Sequence, residues 1–243
     1  GKDKEMFPDF DEAVISDLRY SLTQFIEHVV WSEQSDYRQL LLADYLILNE
    51  QLRTLYHPDH GDQLAAGNSS EQDSEFQEVT FGPGRRAGVL THPYLLSALA
   101  YHNNTSPIHR GVFLTRNIVG RSLKPPPIAV AFKDDEFAAD LTMREKITQL
   151  TRDAACMSCH SVINPLGFAL ENYDAVGRWR TLDNEKPVAT KSKYVTASGE
   201  TLEVQNAADI ASYAVSSETA HRAFVSQVFQ HLVKQDPAAF GPE

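Results

Sequence analysis

Residues 142–160 read TMREKITQLTRDAACMSCH, and this stretch decides which kind of domain the chain can form. It holds both cysteines of the chain, Cys156 and Cys159, and His160 follows the second cysteine directly. Each thiol can form a thioether with one vinyl group of a haem, and the histidine can then bind the iron of the same porphyrin. Cys-x-x-Cys-His is the sequence signature of c-type haem attachment. It therefore predicts one covalent haem c, with His160 as the proximal iron ligand.

Three other uses of a Cys-x-x-Cys pair remain open. A thioredoxin-like redox pair needs a βαβ setting, which the pattern around the motif does not predict. A zinc site usually takes four ligands, and the second pair would have to be His57 and His60, in a polar loop 96 residues before Cys156. A disulfide between Cys156 and Cys159 would leave the following histidine unexplained. Haem attachment is the reading that gives all three motif residues a role.

The periodicity on both sides of the motif predicts a mainly α fold. Apolar residues recur at three- and four-residue spacing, and Asp, Ser and Pro stand at expected helix starts. These patterns predict helices over residues 11–31, 36–56 with a break near Ala43, 87–101, from 107 onward, 142–155, 207–215 and 218–235. Residues 58–78 are a polar loop, residues 124–127 (KPPP) a stiff connector, and a small β-hairpin is expected around residues 198–199. The fold class expected is a cytochrome c-like, haem-binding helical domain with additional N-terminal helices and a minor hairpin.

The composition excludes several classes of protein. The net charge of −11 argues against nucleic-acid binding, and no apolar run is long enough for a transmembrane segment. The polar start GKDKEMF is unlike a signal peptide. Because covalent haem is normally attached outside the cytoplasm, we nevertheless expect the chain to be part of a longer exported protein, periplasmic or otherwise extracytoplasmic.

Several residues are candidates for holding the haem edge. No Asp or Glu occurs between residues 79 and 133, a stretch rich in Arg, Lys and His. Such a basic stretch can bind haem propionates, or it can be an ordinary solvated surface. Because guanidinium groups pair bidentately with carboxylates, the candidate propionate ligands are Arg110, Arg178 and Arg180.

The residues just after the motif are expected to lie against the porphyrin. Gly167 would permit a close approach, Phe168 would form part of the haem wall, and the carbonyl of Pro165 could accept a hydrogen bond from the His160 ring. For each of these the alternative is an ordinary turn or plain core packing.

The sixth iron ligand decides what a haem protein does. No methionine follows Met157, so the usual downstream methionine ligand is missing. His109 and His92, in the stretch without acidic residues, are the two candidates for the sixth position.

Four stretches resemble a known group of families: RAGVLTHPYLL, TSPIHRGVFLTRNIVGRSLKPPP, LTMREK and CMSCHSVINPLGFALENYDAVGRWR. They are similar to the cytochrome-like domains of large planctomycete proteins, the families DUF1592, DUF1588 and DUF1585. The resemblance places residues 10–57 with the first family, 85–180 with the second and about 190–235 with the third. It implies a multi-domain redox protein, often with another cytochrome domain upstream, and it implies no reaction.

Two domains and one leading function follow. Residues 1–80 are expected to form an N-terminal helical region (DUF1592-like) that packs on a c-type haem domain, residues 81–243 (DUF1588/DUF1585-like). The leading hypothesis is a mono-haem c-type cytochrome module for electron transfer, with a redox protein or a neighbouring cytochrome domain as its partner and no catalytic residue. The alternatives are a peroxidase-like haem enzyme, or a haem-based gas or redox sensor with an open distal site.

Overall fold

The computed structural model describes residues 1–56, 75–123 and 131–241. The chain divides into two compact units, which are interleaved along the sequence. Unit 1 comprises Gly1–Ser106 and Asn172–Leu182, and unit 2 comprises Pro107–Glu171 and Asp183–Glu243. This division differs from the boundary expected after residue 80, which followed sequence resemblance; the expected domain arrangement remains a prediction.

Unit 1 is built from helices and one pair of strands. Its helices are Glu12–Val30 (α1), Gln39–Leu42 (α2), Glu50–Tyr56 (α3) and Pro93–Ala98 (α4). Its strands Tyr45–Leu48 (β1) and Gln77–Thr80 (β2) pair antiparallel. The helix expected over residues 11–31 is confirmed, since the Asp11 carboxylate caps α1 by accepting from the Val14 N–H at 2.9 Å.

Unit 2 carries the motif. The helices of this unit are Pro107–Phe113 (α5), extended by a π-helical segment at Leu114–Ile118, then Met143–Leu150 (α6), Ala154–Phe168 (α7), Ala207–Ser216 (α8) and Glu218–Val233 (α9), with short 3₁₀ turns at Asp134–Glu136 and Pro237–Phe240. The short strands are Leu182–Asp183 (β3), which begins at the last residue of unit 1, Lys186–Pro187 (β4), Ser192–Val195 (β5) and Thr201–Val204 (β6). Strands β5 and β6 form the expected antiparallel hairpin. The prediction of a mainly α fold with a minor hairpin is confirmed.

Sequence predictions of local structure were wrong at three places. The helix expected over residues 87–101 is limited to Pro93–Ala98, because residues 87–92 form turns and isolated bridges before it. The stretch over residues 36–56 is not helical throughout, because YLIL at 45–48 forms β1 and pairs with residues 77–80, of which 77 and 78 were expected in a loop. A short run of consecutive apolar residues fits a buried strand as well as a helix, and only the distant partner decides. Residues 58–74 of the expected loop and the connector at residues 124–127 lie outside the described residues.

A further wrong prediction concerns the approach to the motif. The helix expected over 142–155 ends at Leu150, and a new helix, α7, begins at Ala154 and runs through the motif to Phe168. Thr151 closes α6 by donating its backbone N–H to the Ile147 carbonyl. The motif therefore lies at the start of a helix and not after the end of one.

Helices α5 and α7 pack with their backbones in close approach. Gly111 of α5 lies against the carbonyl of Ile163, and Gly167 of α7 lies against the carbonyl of Pro107. A Cβ atom at either glycine would collide with the backbone of the facing helix. Only residues without a Cβ allow this separation, so the two glycines fix how closely the motif helix is held.

Because of this close approach, we expect Gly167→Ala to destabilise the protein, although glycine-to-alanine changes in helices usually stabilise. In an open helix this change stabilises by about 0.5–1 kcal/mol, but here we expect a loss of about 1–3 kcal/mol in the free energy of unfolding, because the helices must move apart. Urea denaturation measures the difference. Ser161→Ala, at an exposed position of the same helix, is the control and should change stability little. An increase in stability for Gly167→Ala would contradict the packing.

Candidate functional site

The motif occupies the first two turns of α7. Cys156, Cys159 and His160 stand at positions i, i+3 and i+4, which lie on one face of a helix. Both cysteines are free thiols, and all three side chains are partly exposed. Two thiols and one imidazole are therefore presented from the same side of one helix, as attachment of a single flat cofactor requires.

Burial changes along α7. Residues 154–162 are exposed or half-buried, whereas in the second half Ile163, Asn164, Leu166, Gly167 and Phe168 are buried. The inner half of the helix is thus held in the core of unit 2, mainly against α5. The outer half carries the reactive groups and stays accessible.

The His160 ring is held by a side chain that the sequence analysis missed. Its Nδ1 lies 2.9 Å from Oδ1 of Asn164, whose side chain is buried. The predicted partner, the Pro165 carbonyl, is not the one the structure gives. Helical carbonyls point toward the C-terminus, away from a residue five positions earlier, while side chains tilt back toward the N-terminus. The i, i+4 spacing of His160 and Asn164 on a helix was the signal that could have found this pair.

Asn164 is itself anchored. Its Nδ2 donates to Oγ1 of Thr151 at 2.9 Å, and the Thr151 hydroxyl donates to the carbonyl of Ile147 at 2.8 Å. Thr151 is 3% exposed and Asn164 is 7% exposed, so water has little access to these bonds. A chain of three hydrogen bonds therefore connects the motif histidine with the end of α6.

The other residues expected after the motif lie within α7. Pro165 is inside the helix, Gly167 lies against α5, and the Phe168 ring is covered by the guanidinium of Arg144 at 4.5 Å from its centroid. These contacts explain the residue types by packing. Their expected contact with a haem remains a prediction.

Two protein-family models match parts of the sequence. Residues 86–183 match the family PSCyt3, described as a protein of unknown function (DUF1588), and residues 1–57 match the family PSD4, described as a protein of unknown function (DUF1592). The two matches follow one another along the chain, with the DUF1592 match before the DUF1588 match. No curated protein and no solved structure matches the chain. The similarity of residues 190–235 to the DUF1585 family remains a prediction.

The residues matched to DUF1588, 86–183, contain every candidate haem-site residue named from the sequence, and these residues belong to two different units. The motif, the residues after it, His109 and Arg110 belong to unit 2. His92, Arg178 and Arg180 belong to unit 1. The descriptions of both families state no function, so these matches supply no activity.

The three candidate arginines differ in their surroundings. Arg110 is fully buried; its Nη1 donates to the Leu170 carbonyl at 3.1 Å and lies 3.7 Å from a carboxylate oxygen of Glu171. Arg178 is partly exposed and donates from Nε to Asp174 at 2.8 Å, and Arg180 is half-buried. Arg110 therefore contributes to the core of unit 2, while the propionate role of all three remains a prediction.

The two candidate sixth ligands also differ. His109 lies on the exposed side of α5. His92 is fully buried in unit 1, where Nδ1 accepts from the Tyr94 N–H and caps α4, and Nε2 lies 3.2 Å from the Ser21 hydroxyl. Both ring nitrogens of His92 thus have partners, so it would have to break buried contacts before it could bind iron.

Within residues 1–56, 75–123 and 131–241, no three His, Cys, Asp or Glu side chains form a group that could hold a metal ion. In the same ranges no helix has both the length and the apolar character needed to cross a membrane. His57 and His60, the second pair of the zinc alternative, lie outside the described residues.

The burial of His92 predicts a pH dependence. Burial, and secondarily the nearby charge of Arg86, lower the pKa of His92 from 6.5 to about 3. Between these values the unfolded chain binds a proton that the folded chain does not. Stability attributable to His92 should therefore fall as the pH falls from about 6.5, by up to about 1.4 kcal/mol per pH unit.

Urea denaturation between pH 7 and pH 4 tests this expectation. His92→Asn keeps an acceptor at the helix start and should lose less stability than the wild type over that range. His231→Asn, at an exposed position in α9, should follow the wild type. Parallel pH profiles for the wild type and His92→Asn would contradict a neutral buried His92.

Proposed function

We propose that the chain is a mono-haem c-type cytochrome module that transfers electrons within a larger exported redox protein. The observation that carries the proposal is the placement of Cys156, Cys159 and His160 on one accessible face of α7, with the His160 ring oriented by Asn164. A haem held there would supply one-electron exchange at its iron.

The surroundings of the motif fit a bound haem. The two cysteines are free and accessible for thioether formation. A ligating histidine needs its other ring nitrogen bonded to an acceptor, and Oδ1 of Asn164 is such an acceptor. The inner half of α7 is buried, so the ligand lies on a packed helix and not on a loop.

The cellular setting and the partner follow from this chemistry. Covalent haem is normally installed outside the cytoplasm, which supports a periplasmic or other extracytoplasmic location. A module with one haem and no catalytic residue needs a second redox centre, either in a partner protein or in a neighbouring cytochrome domain.

Covalent attachment can be tested directly. We expect the chain, exported into a bacterial periplasm together with haem-maturation machinery, to bind one haem that survives denaturation and extraction, because both thioethers form. The double variant Cys156→Ala, Cys159→Ala should retain no covalent haem. Ser161→Ala, at an exposed position of α7 outside the motif, should load normally. Wild-type protein without covalent haem, or with one equivalent of zinc on the same cysteines, would overturn the proposal.

The axial ligands separate electron transfer from the other haem functions. For an electron-transfer module we expect low-spin absorption spectra in both oxidation states and no change of the reduced spectrum with carbon monoxide, because both axial positions are occupied. With His109 as sixth ligand, His109→Ala should become high-spin and bind carbon monoxide, whereas His231→Ala should not. A wild-type protein that readily binds carbon monoxide would instead favour the enzyme or the sensor.

A further inference from the structure

The hydrogen-bond chain behind the motif has a defined direction. The Ile147 carbonyl can only accept a hydrogen bond, so the Thr151 hydroxyl donates its single hydrogen to this carbonyl. Oγ1 of Thr151 can then only accept, and it accepts a hydrogen bond from the amide N–H of Asn164. This fixes the Asn164 amide with its oxygen toward His160.

The same logic determines the tautomer of His160. The amide oxygen of Asn164 has no proton to donate, so the Nδ1 atom that lies 2.9 Å away must carry the hydrogen. In the neutral ring the lone pair is then on Nε2. A metal ion binds a neutral imidazole through such a lone pair.

We propose that Asn164 and Thr151 are positioning residues that hold His160 in the Nδ1–H tautomer and present Nε2 as the ligand atom. The proposal rests on the proposed haem function for its purpose, but the tautomer itself is a property of the protein alone. Neither residue touches the cofactor in this scheme. Asn164 acts on the ring, and Thr151 acts by preventing the Asn164 amide from turning over.

Burial strengthens the hydrogen bonds that join His160, Asn164 and Thr151. Both polar side chains are more than nine-tenths buried, and hydrogen bonds in such surroundings compete with little water. Thr151 lies at the end of α6 and Asn164 in the middle of α7. The ring orientation of His160 is therefore tied to the packing of two helices.

The tautomer can be measured without any haem. Nitrogen NMR of the full chain with ¹⁵N-labelled histidine, with His160 assigned through His160→Gln, should show His160 mainly protonated at Nδ1. Asn164→Leu and Thr151→Val should both give a mixture of tautomers, since each change releases the ring. Wild-type His160 protonated mainly at Nε2, or unchanged signals in both variants, would overturn the proposal.

A matched variant separates this effect from a general loosening of α6. Thr148 donates its hydroxyl to the Arg144 carbonyl at 2.8 Å, the same kind of bond one turn earlier, but it is exposed and does not contact Asn164. Thr148→Val should therefore leave the His160 signals as in the wild type. If Thr148→Val shifts the tautomer as strongly as Thr151→Val, the hydrogen-bond chain is not the cause.

The reduction potential of the haem-loaded protein gives a second readout. Asn164→Asp supplies a stronger acceptor, which makes the ring more basic and should lower the potential, whereas Asn164→Leu removes the acceptor and should raise it. Each change should alter the reduction equilibrium about tenfold, which is about 59 mV for one electron. A merely structural role would shift both variants in the same direction, and that result would overturn the positioning role. Failure of the wild type to load haem would overturn the proposed function, while the NMR result would still decide the tautomer.

Discussion

The close backbone contact between α5 and α7 is the constraint on which the site depends. Gly111 and Gly167 stand on different helices, and each lies against a carbonyl of the facing one. Two such contacts, one at each end of the crossing, leave little freedom for the helices to slide or rotate, because any side chain beyond a hydrogen would separate them. The inner half of α7 is thereby held in place. Because the motif lies on the same continuous helix, its position is fixed as well.

Buried polar side chains near the contact between α5 and α7 make hydrogen bonds that depend on how the helices are oriented. Arg110 is buried in α5 with Glu171 nearby, and Asn164 is buried in α7 between His160 and Thr151. Burying such groups costs free energy unless their hydrogen bonds are made. The bonds of Asn164 to His160 and Thr151 are made, and they fix the orientation of the His160 ring relative to α6 and α7.

Local sequence patterns predicted the elements that depend on local interactions. Helix α1 has an aspartate cap and a regular apolar face, and the β5–β6 hairpin has a turn with glycine at 199, so both were found. Strand β1 was missed because its state depends on pairing with β2, about thirty residues later. The motif residues were evident from spacing alone. Asn164 was missed because an asparagine gains a role only once the helix is known to continue past His160.

The choice of a side-chain amide as the partner of His160 follows from the continuity of α7. A chain that turned after the motif could aim a backbone carbonyl at the ring, as was expected for Pro165. In a continuous helix the backbone carbonyls point away from the preceding turn, and only a side chain at i+4 reaches back. An amide oxygen is a neutral acceptor like a backbone carbonyl, so it orients the ring without adding a buried charge. An amide can, however, turn over and present its NH₂ group to the ring in place of its oxygen. The Thr151 hydroxyl prevents this, because it donates its hydrogen to the Ile147 carbonyl and can only accept from Asn164.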